Sequence, residues 1–325
     1  MHISVGTFNL NNLFSRYNFR LEAAIENMPE GTVELEKIRK VVDSFDELNV
    51  AYRGVALKHK DTKAREAIKK RILTLNLDVL ALQEIEDIET LAFFVRHELG
   101  NANPYPYFTL IEGNDPRLID LAVISKYPIG AVTSWQHATH PKLPQERVFS
   151  RDLLQVEILS KNRKKRLFTL FNNHLKSHFV PFTEDQAEGA KRANERRQLQ
   201  AETIAEIVTE ELRPDSRYVI AGDMNDDPDS PFLAPLIKHS RLQLINGLSQ
   251  ATETRPAPES TSAPKQRIWT HRFKPSGKPA EYSLFDHIWL SPTLAARQIG
   301  AFIDRRTKMG GDGSDHDPAW VVVNV

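Results

Sequence analysis

The chain has 325 residues, with 43 Lys plus Arg against 43 Asp plus Glu, and therefore no formal net charge. This balance argues against a protein that binds nucleic acid through a basic surface as a whole, so any polyanion must be bound by a few placed cations or a metal ion. The absence of cysteine excludes disulfide frameworks, thiol nucleophiles and cysteine-based zinc sites. A hydrophobic share of 40% excludes disorder throughout the chain.

The sequence gives weak information on location. No apolar run approaches the ~18 residues that a membrane-spanning helix needs. The first residues, Met1–Val5, lack the cationic segment and apolar core of a signal peptide, so we expect a cytoplasmic protein. A secreted or periplasmic protein whose leader has been removed is the alternative, because the lack of cysteine suits both.

Eight short apolar runs, rich in Val, Ile, Leu and Phe, predict buried strands because each ends abruptly in polar residues. In chain order these runs are Ile3–Asn9, Asp78–Gln83, Ile119–Ser125, Leu153–Leu159, Leu167–Asn173, Arg217–Asp223, Phe285–Leu290 and Ala319–Val325.

Apolar residues at steps of three and four predict helices between some of these strands. A long helix is expected to begin at Thr183, which with Glu184 and Asp185 supplies a cap and N-terminal acids, and to end at about Leu212. The two shorter stripes are Leu35, Ile38, Val42 and Phe45, and Ala64, Ile68, Ile72 and Leu75. The inward residues of the long helix are expected to be Ala190, Ala193, Ala201, Ile204 and Val208.

The segment 249–279 contains five of the 19 prolines and reads as a long irregular loop, interrupted by the apolar pair Ile268-Trp269. No internal repeat and no break in composition marks a domain boundary. Because strands and helices are interspersed, the fold class is α/β or α+β.

The polar residues that follow the predicted strands are the main functional signal, because ligands of α/β proteins collect at strand ends. These strand ends carry Asn9-Leu10-Asn11, Gln83-Glu84, Asn172-Asn173-His174-Leu175-Lys176-Ser177, Gly222-Asp223-Met224-Asn225-Asp226, Asp286-His287 and Ser314-Asp315-His316.

Each of these residues also has a structural interpretation. Asn9 and Asn11 suit turns, Glu84 suits a helix cap, and the acids near Asp223 suit a solvated turn. His174 could be an ordinary buried histidine. Their joint occurrence at six strand ends is what favours a site.

These side chains suit the attack of water on a phosphate ester. Carboxylate and amide oxygens select a hard ion such as Mg²⁺ or Mn²⁺ over zinc. A carboxylate can orient or deprotonate the water, and an imidazole can stabilise the charged transition state. The sequence contains neither a P-loop nor a Gly-x-Ser-x-Gly elbow, which argues against nucleotide triphosphate switching and serine hydrolysis.

In order and spacing, these motifs resemble those of the endonuclease/exonuclease/phosphatase (DNase I-like) superfamily, in its broad bacterial branch. The resemblance spans residues 3–325 and includes Glu112–Arg117, Ile119–Pro128 and Arg196–Ala201. It implies a four-layer α/β sandwich in which two mixed β-sheets pack face to face between helices. Because the motifs run from Asn9 to His316, it also favours one domain over residues 1–325, with an insertion at about 13–60.

The resemblance further implies roles for individual residues. Glu84 would be the main ligand of Mg²⁺ or Mn²⁺, with Asn11 close to the ion, and Asp315 would belong to a second metal position or steer His316. Asn9 and Lys176 would bind the phosphate, and His174 would contact it. Asp223 would orient or deprotonate the water, Asn225 would bind a phosphate oxygen, and Asp286 would pair with His316 to stabilise the transition state. His287, on the other face of its strand, is expected to be structural.

Two departures from the family pattern matter. Abasic-site endonucleases usually carry Asp at the place of Asn11 and a tyrosine in part of the role of His174, so the pattern leans toward DNase I, sphingomyelinases and 5-phosphatases. The segment Leu13–Lys60 is longer than the minimal fold needs. Its apolar stripe at 35–45 is expected to pack outside the core, with substrate recognition as the alternative.

The basic clusters are less specific. Residues 161–166 read as a solvated hairpin tip, with phosphate-backbone contact as the alternative. Lys191, Arg192, Arg196 and Arg197 lie among glutamates and are expected on a solvated helix face. Near loop edges, Arg117, Arg147 and Arg151 are better candidates for contact with substrate.

The leading hypothesis is a metal-dependent phosphoesterase that hydrolyses phosphodiester bonds, with DNA as the first substrate. The alternative keeps the mechanism with a phospholipid, inositol phosphate or other small phosphate ester. A non-catalytic binding scaffold on the same fold is the third hypothesis, disfavoured because all the site residues are in place. No obligate protein partner is evident.

Overall fold

The structure is a computed structural model, and it describes most of the chain. The described residues are 1–14, 17–22, 37–42, 54–57, 60–181, 183–211, 213, 215–258 and 268–325. Among them, no helix has the length and apolar character needed to cross a membrane.

Twenty strands and five α-helices make up the regular structure of the described residues. The strands are β1 (His2–Leu13), β2 (Tyr17–Glu22), β3 (Lys37–Val42), β4 (Gly54–Leu57), β5 (Val79–Ile85), β6 (Tyr107–Ile111), β7 (Asp120–Ser125), β8 (Ile129–Ser134), β9 (Thr139–His140), β10 (Leu143–Arg147), β11 (Leu153–Leu159), β12 (Arg166–His174), β13 (Tyr218–Asp223), β14 (Ile245–Asn246), β15 (Thr252–Glu253), β16 (His271–Phe273), β17 (Glu281–Ser283), β18 (Asp286–Leu290), β19 (Gln298–Ile303) and β20 (Ala319–Asn324). The helices are α1 (Thr62–Leu75), α2 (Ile88–Phe93), α3 (Gln186–Glu211), α4 (Ala234–Ile237) and α5 (Pro292–Ala295), with a π-helical turn at Phe94–Glu98 and a 3-10 turn at Gly100–Ala102.

Two large mixed sheets dominate the fold. The first has the order β15-β19-β20-β1-β5-β7-β6, and the second has the order β14-β18-β13-β12-β11-β8. In the first sheet, β1 lies between parallel β5 and antiparallel β20, so the two ends of the chain meet at its centre. In the second, β13 lies between parallel β12 and antiparallel β18.

Three apolar clusters hold the layers together. Strand residues such as Val5 and Val79 of the first sheet pack against Val156 and Val219 of the second, which forms the core between the sheets. The outer face of the first sheet buries α1 and α2, and the outer face of the second buries α3 and α4. This order of helix, sheet, sheet and helix confirms the predicted four-layer sandwich, because each sheet hides one face in the shared core and the other under helices.

All eight predicted strands are present, and the helix at 64–75 is α1. The predicted helix at 35–45 is wrong where the structure describes it, because residues 37–42 form β3. The rest of that prediction lies outside the described residues. β3 pairs with β2 in a small three-stranded sheet. Its sequence, Lys-Ile-Arg-Lys-Val-Val, contains three β-branched residues, which favour a strand over a helix.

Two further predictions need correction. α3 begins at Gln186 instead of Thr183, because the Asp185 carboxylate caps it by accepting from the Glu188 backbone N–H at 2.9 Å. Ala190 is exposed, and Gly189 faces inward in its place. The segment 249–279 is less irregular than expected, since it contains β15 and β16, while residues 259–267 lie outside the described part.

Candidate active site

Three adjacent strands of the second sheet align three polar side chains. In the backbone register, His174 at the end of β12 lies beside Asp223 at the end of β13, which lies opposite Asp286 at the start of β18. All three residues are buried. Because parallel β12 and β13 end where antiparallel β18 begins, these three side chains from separate segments form one polar row across the sheet.

The end of β13 depends on a glycine. Gly222 has φ +142°, and a Cβ added there would lie 1.9 Å from the carbonyl oxygen of Asn173. Only glycine lets β13 approach β12 this closely and still present Asp223.

The first sheet contributes residues from two irregular strand ends. The register between β5 and β7 shifts at Glu84, which has φ +65°, and the register between β1 and β5 shifts after Asn9. Asn11 and Asn12 in that second irregularity also have positive φ. Backbone strain of this kind is concentrated at functional sites, where bulges re-aim side chains.

Hydrogen bonds join these strand ends to Asp223. The Asn9 Nδ2 donates to Asp223 Oδ2 at 2.9 Å and to Glu84 Oε1 at 3.3 Å. The Glu84 Oε2 accepts from the Asn12 backbone N–H at 2.9 Å, and Asn11 Nδ2 donates to Asp315 Oδ1 at 2.8 Å. The two sheets therefore meet at one polar centre.

The carboxylates of Glu84 and Asp315 contact the Asn11-Asn12 segment and offer oxygen atoms, which are the ligands that a hard divalent ion prefers. Each carboxylate oxygen has more lone pairs than the hydrogen bonds above use. Burial would raise the pKa of Asp315, but the neighbouring imidazoles of His271 and His316 hold it well below its usual range. The residues present therefore fit the predicted site for Mg²⁺ or Mn²⁺.

Asp223 is the most connected carboxylate of the site. Its Oδ1 accepts from the Asn225 backbone N–H at 2.9 Å, and its Oδ2 lies 3.7 Å from His316 Nε2 and 3.5 Å from His174 Nε2. Burial, opposed by His316 and reinforced by Asp286, raises the pKa of Asp223 to about 7. The group is thus a proton acceptor suited to neutral pH.

His316 and Asp286 form a tight pair, with His316 Nδ1 2.7 Å from Asp286 Oδ2. Burial alone would lower the pKa of His316, but the carboxylates of Asp286 and Asp223 outweigh it and hold the pKa well above its usual value. His316 is therefore an imidazolium whose Nε2 faces Asp223.

His174 is a neutral imidazole. Burial, helped by the positive charge of Arg151, lowers the pKa of His174 well below its usual value. Its Nε2 lies 3.9 Å from Glu84 Oε1 as well as near Asp223, and its Nδ1 has no hydrogen-bond partner within the described part of the chain. His287, by contrast, is held by the Leu284 carbonyl at 2.7 Å and the Trp289 indole at 3.1 Å, away from the site.

Sequence reasoning missed Lys60, whose ammonium donates to the carbonyl of Asn11. Burial lowers the pKa of Lys60 to about 8, although Glu84 and Asp315 act in the opposite direction. Nothing local marks this lysine in the sequence, because it precedes α1 by two residues and reaches the site only through the fold.

A second missed residue is His271, which lines a cleft of about 650 Å³ together with His316 and Asn225. Its ring stacks on Phe285, with centroids 4.9 Å apart and planes 12° apart, and His178 stacks near Phe285 at 5.7 Å. The only sequence signal was the apolar pair Ile268-Trp269, which interrupts the Pro-rich segment shortly before His271.

Lys176 and Arg117 line a neighbouring cleft of about 410 Å³. The Arg117 guanidinium is bound in a bidentate manner by Asp115 at 3.0 and 2.9 Å, and Lys176 Nζ donates to the carbonyls of Ser177 and Phe179 at 3.1 Å. Phosphate binding by these two residues stays a prediction.

Two further arginines are buried. The Arg151 guanidinium lies 3.1 Å from the Asp115 carboxylate and donates to the Leu175 carbonyl; it also lines this cleft, and its contact with substrate stays a prediction. Arg197 was expected on a solvated face, but it is fully buried and binds Asp226 Oδ2 at 3.1 Å and the Lys176 carbonyl at 3.0 Å. Its length lets it tie α3 to the strand ends of β12 and β13, and the carboxylate compensates the buried charge.

Residues 6–316 match the sequence model of the Endonuclease/Exonuclease/phosphatase family. The chain belongs to this family. No curated protein sequence matches it. Family membership and the fold support a phosphoesterase.

Solved structures share the fold at low identity. A Bacteroides vulgatus endonuclease/exonuclease/phosphatase has a TM-score of 0.59 at 14% identity, over 100% of this chain and 99% of that chain. A mannosyl-6-phosphatase of Bacteroides thetaiotaomicron has a TM-score of 0.54 and an AP endonuclease of Archaeoglobus fulgidus 0.55, each at 15% identity over 99% of this chain and 100% of the other. The same family fold thus carries different activities.

Proposed function

We propose that the protein is a divalent-metal-dependent phosphoesterase that hydrolyses phosphodiester bonds by in-line attack of water, with DNA as its first substrate. The observation that carries this proposal is the contact of His316 with two carboxylates from neighbouring strands, Asp286 at 2.7 Å and Asp223 at 3.7 Å. Such a pairing of a proton acceptor with an imidazolium suits the two proton movements of ester hydrolysis.

Glu84, Asp315 and Asn11 would hold Mg²⁺ or Mn²⁺. When bound, the ion would neutralise phosphate oxygens and stabilise the departing oxyanion. Asn9 orients Glu84 and Asp223 at once, because its amide donates to both carboxylates.

Asp223 orients the attacking water and accepts its proton. The pKa of about 7 makes the ionised form available at neutral pH while leaving a useful affinity for the proton. The Asn225 backbone N–H and the Asn9 amide fix the carboxylate in one orientation.

His316 donates to the phosphate and to the leaving oxygen. Asp286 holds Nδ1 and keeps the ring charged, so Nε2 carries a proton toward the cleft. His174 and Asn225 add neutral donors for the other phosphate oxygens. Preorganised donors of this kind act where charge develops and need no reorganisation.

A small phosphate ester is the second candidate substrate. The cleft beside His316 measures about 650 Å³, which is the size of a pocket for a small ligand. Arg117, which lines the neighbouring cleft, is already paired with Asp115. The AP endonuclease and mannosyl-6-phosphatase neighbours are compatible with either substrate.

Metal-dependent hydrolysis of a substrate panel tests the proposal. The wild-type protein is incubated with supercoiled plasmid, a phospholipid, an inositol phosphate and small aryl phosphate mono- and diesters, with Mg²⁺, Mn²⁺ or EDTA. Nicking of the plasmid by the wild type but not by His316→Ala supports the nuclease; turnover of a small ester alone supports the second candidate. A folded protein that hydrolyses none of them would favour the binding scaffold.

A further inference from the structure

We propose that His271, Asp315 and His316 form a second cation site, which shares Asp315 with the hard-ion position at Glu84 and Asn11, binds a transition ion of the Zn²⁺ type and blocks hydrolysis when occupied. The blocking role rests on the proposed function, whereas the binding site does not.

The three side chains are already close enough to share one ion. Among the described residues, their ligand atoms form a group within 4.8 Å of one another. The Asp315 carboxylate lies between the imidazoles, 3.7 Å from His271 Nε2 and 4.0 Å from His316 Nε2. Ligands of a tetrahedral zinc ion are about 3.3 Å apart, so small side-chain rotations would close the site.

The backbone holds these residues in place before any ion binds. His271 and His316 face each other in an isolated antiparallel bridge, and the Asp317 N–H donates to the Thr270 carbonyl at 2.8 Å. The buried guanidinium of Arg306 donates to the carbonyls of Thr270 at 3.2 Å and Asp315 at 2.8 Å. One side chain therefore ties together the two segments that supply the ligands.

The ring orientations are fixed as well. His271 stacks on Phe285, and the rings of His271 and His316 have centroids 4.7 Å apart. The Asp286 carboxylate binds Nδ1 of His316, which leaves Nε2 as its ligand atom. A carboxylate behind a ligating histidine is the usual support of a zinc-bound imidazole.

The ligand chemistry separates this site from the one at Glu84. Two imidazoles and one carboxylate favour Zn²⁺, Co²⁺ or Ni²⁺, whereas Glu84 and Asn11 offer only oxygen. The site is also accessible, because the side chains of His271 and Asp315 are 15% and 46% exposed. An ion can reach it without opening the fold.

A zinc ion in this site would remove the proton donor that hydrolysis needs. His316 Nε2 faces Asp223 at 3.7 Å and is the donor assigned above to the phosphate. A zinc ion bound to that nitrogen replaces its proton. Asp315 would be withdrawn from the hard ion at the same time, so we expect inhibition that excess Mg²⁺ does not fully relieve.

Cobalt binding tests the site without any substrate. Metal-stripped protein is titrated with Co²⁺ in the presence of excess Mg²⁺, and the visible absorption that marks four- or five-coordinate Co²⁺ is recorded. We expect one equivalent of Co²⁺ to bind and to be displaced by Zn²⁺, with at least about tenfold weaker binding in His271→Gln. His178→Gln is the matched control, since His178 lines the same cleft outside the cluster. Circular dichroism checks that both variants fold.

Zinc inhibition then tests the consequence, with the rate of each variant measured against its own rate without zinc. We expect Zn²⁺ to inhibit the wild type and His178→Gln at concentrations at least about tenfold below those that inhibit His271→Gln. Equal Co²⁺ binding by wild type and His271→Gln, or activation by Zn²⁺, would overturn the proposal. Cobalt binding without hydrolysis of any phosphate ester would instead support the site while contradicting the proposed function.

Discussion

The carboxyl group of Asp223 is fixed on both oxygens. The Asn225 backbone N–H binds Oδ1, while the Asn9 amide binds Oδ2 on the side that faces His316 and His174. A carboxylate held in this way can turn toward neither solvent nor a different partner. Its position relative to the phosphate of the proposed substrate is therefore set by β1, which carries Asn9, and by the end of β13, which Asn225 follows.

We expect Asp223→Asn to lower kcat by about 10²- to 10⁴-fold with little change in folding, because the amide keeps the shape but cannot accept the proton of water. Steady-state kinetics with Mg²⁺ on the best substrate of the panel measures this. His137→Asn, an exposed histidine outside the cleft, serves as the control. Wild-type turnover in Asp223→Asn would contradict the assignment.

Glu84→Gln is expected to raise the Mg²⁺ concentration needed for half-maximal activity by about tenfold or more, because it removes a negative charge next to Asn11 while preserving the hydrogen bond from Asn12. Titration of activity with Mg²⁺ tests this, with exposed Glu89→Gln as the control. An unchanged Mg²⁺ requirement would place the ion elsewhere.

Most site residues could be predicted from the sequence because each follows an apolar strand in a recognisable motif. Lys60 and His271 could not, since one precedes a helix and the other lies in a Pro-rich segment. Neither has a local pattern, and both reach the site by tertiary packing. The bulge that turns Glu84 inward could not be predicted either, because the sequence does not show which non-glycine residue adopts a positive φ.

At the scale of elements, the site depends on how closely β12 and β13 pair. The backbone at Gly222 has φ +142° and lies against Asn173, one residue before His174. The same pairing sets the distance between His174 and Asp223.

Gly222→Ala is therefore expected to lower the free energy of unfolding by at least about 3 kcal/mol, through both the positive φ and the clash with the Asn173 carbonyl. Urea unfolding followed by circular dichroism measures this. Gly100→Ala is the matched control, because Gly100 has φ +62° but open space at its Cβ position, and should cost only about 1–2 kcal/mol. Equal losses in the two variants would show that the close approach contributes nothing.

The elements that sequence reasoning found and missed differ in how they are stabilised. The eight predicted strands are buried in the two large sheets, so their apolar runs are continuous. β3 is part of a small separate sheet, so the spacing of three and four among the apolar residues of this segment does not indicate a helix. The predicted start of α3 at Thr183 is wrong because Asp185, two residues later, makes the capping bond.

For the whole molecule, we propose a single domain over residues 1–325, since β1 and β20 pair at the centre of one sheet and the polar centre draws on both sheets. Stability then has a pH dependence set by buried acids. Burial, reinforced by the charges of Glu112, Asp115 and Asp152, raises the pKa of Asp120 to about 7, although the Gly113 N–H opposes the shift.

The folded protein thus binds the Asp120 proton more tightly than the unfolded chain does, whose Asp pKa is about 3.9. The stabilisation is full below about pH 4 and is lost as the pH rises to about 7. We expect the free energy of unfolding of the wild type, relative to Asp120→Asn, to fall by up to about 3 kcal/mol between about pH 5 and pH 8. Urea unfolding of both proteins at the two pH values measures this, and parallel pH profiles would contradict it.

If side chains from distant parts of the chain act as one catalytic unit, a double-mutant cycle between Asp286 and His316 will show it. The values of kcat/KM with Mg²⁺ are measured for the wild type, Asp286→Asn, His316→Ala and the double variant. We expect losses of about 10²-fold or more in each single variant and a double variant within about threefold of the worse one, because the pair functions as a unit. Losses that multiply independently, or wild-type activity in either single variant, would contradict it.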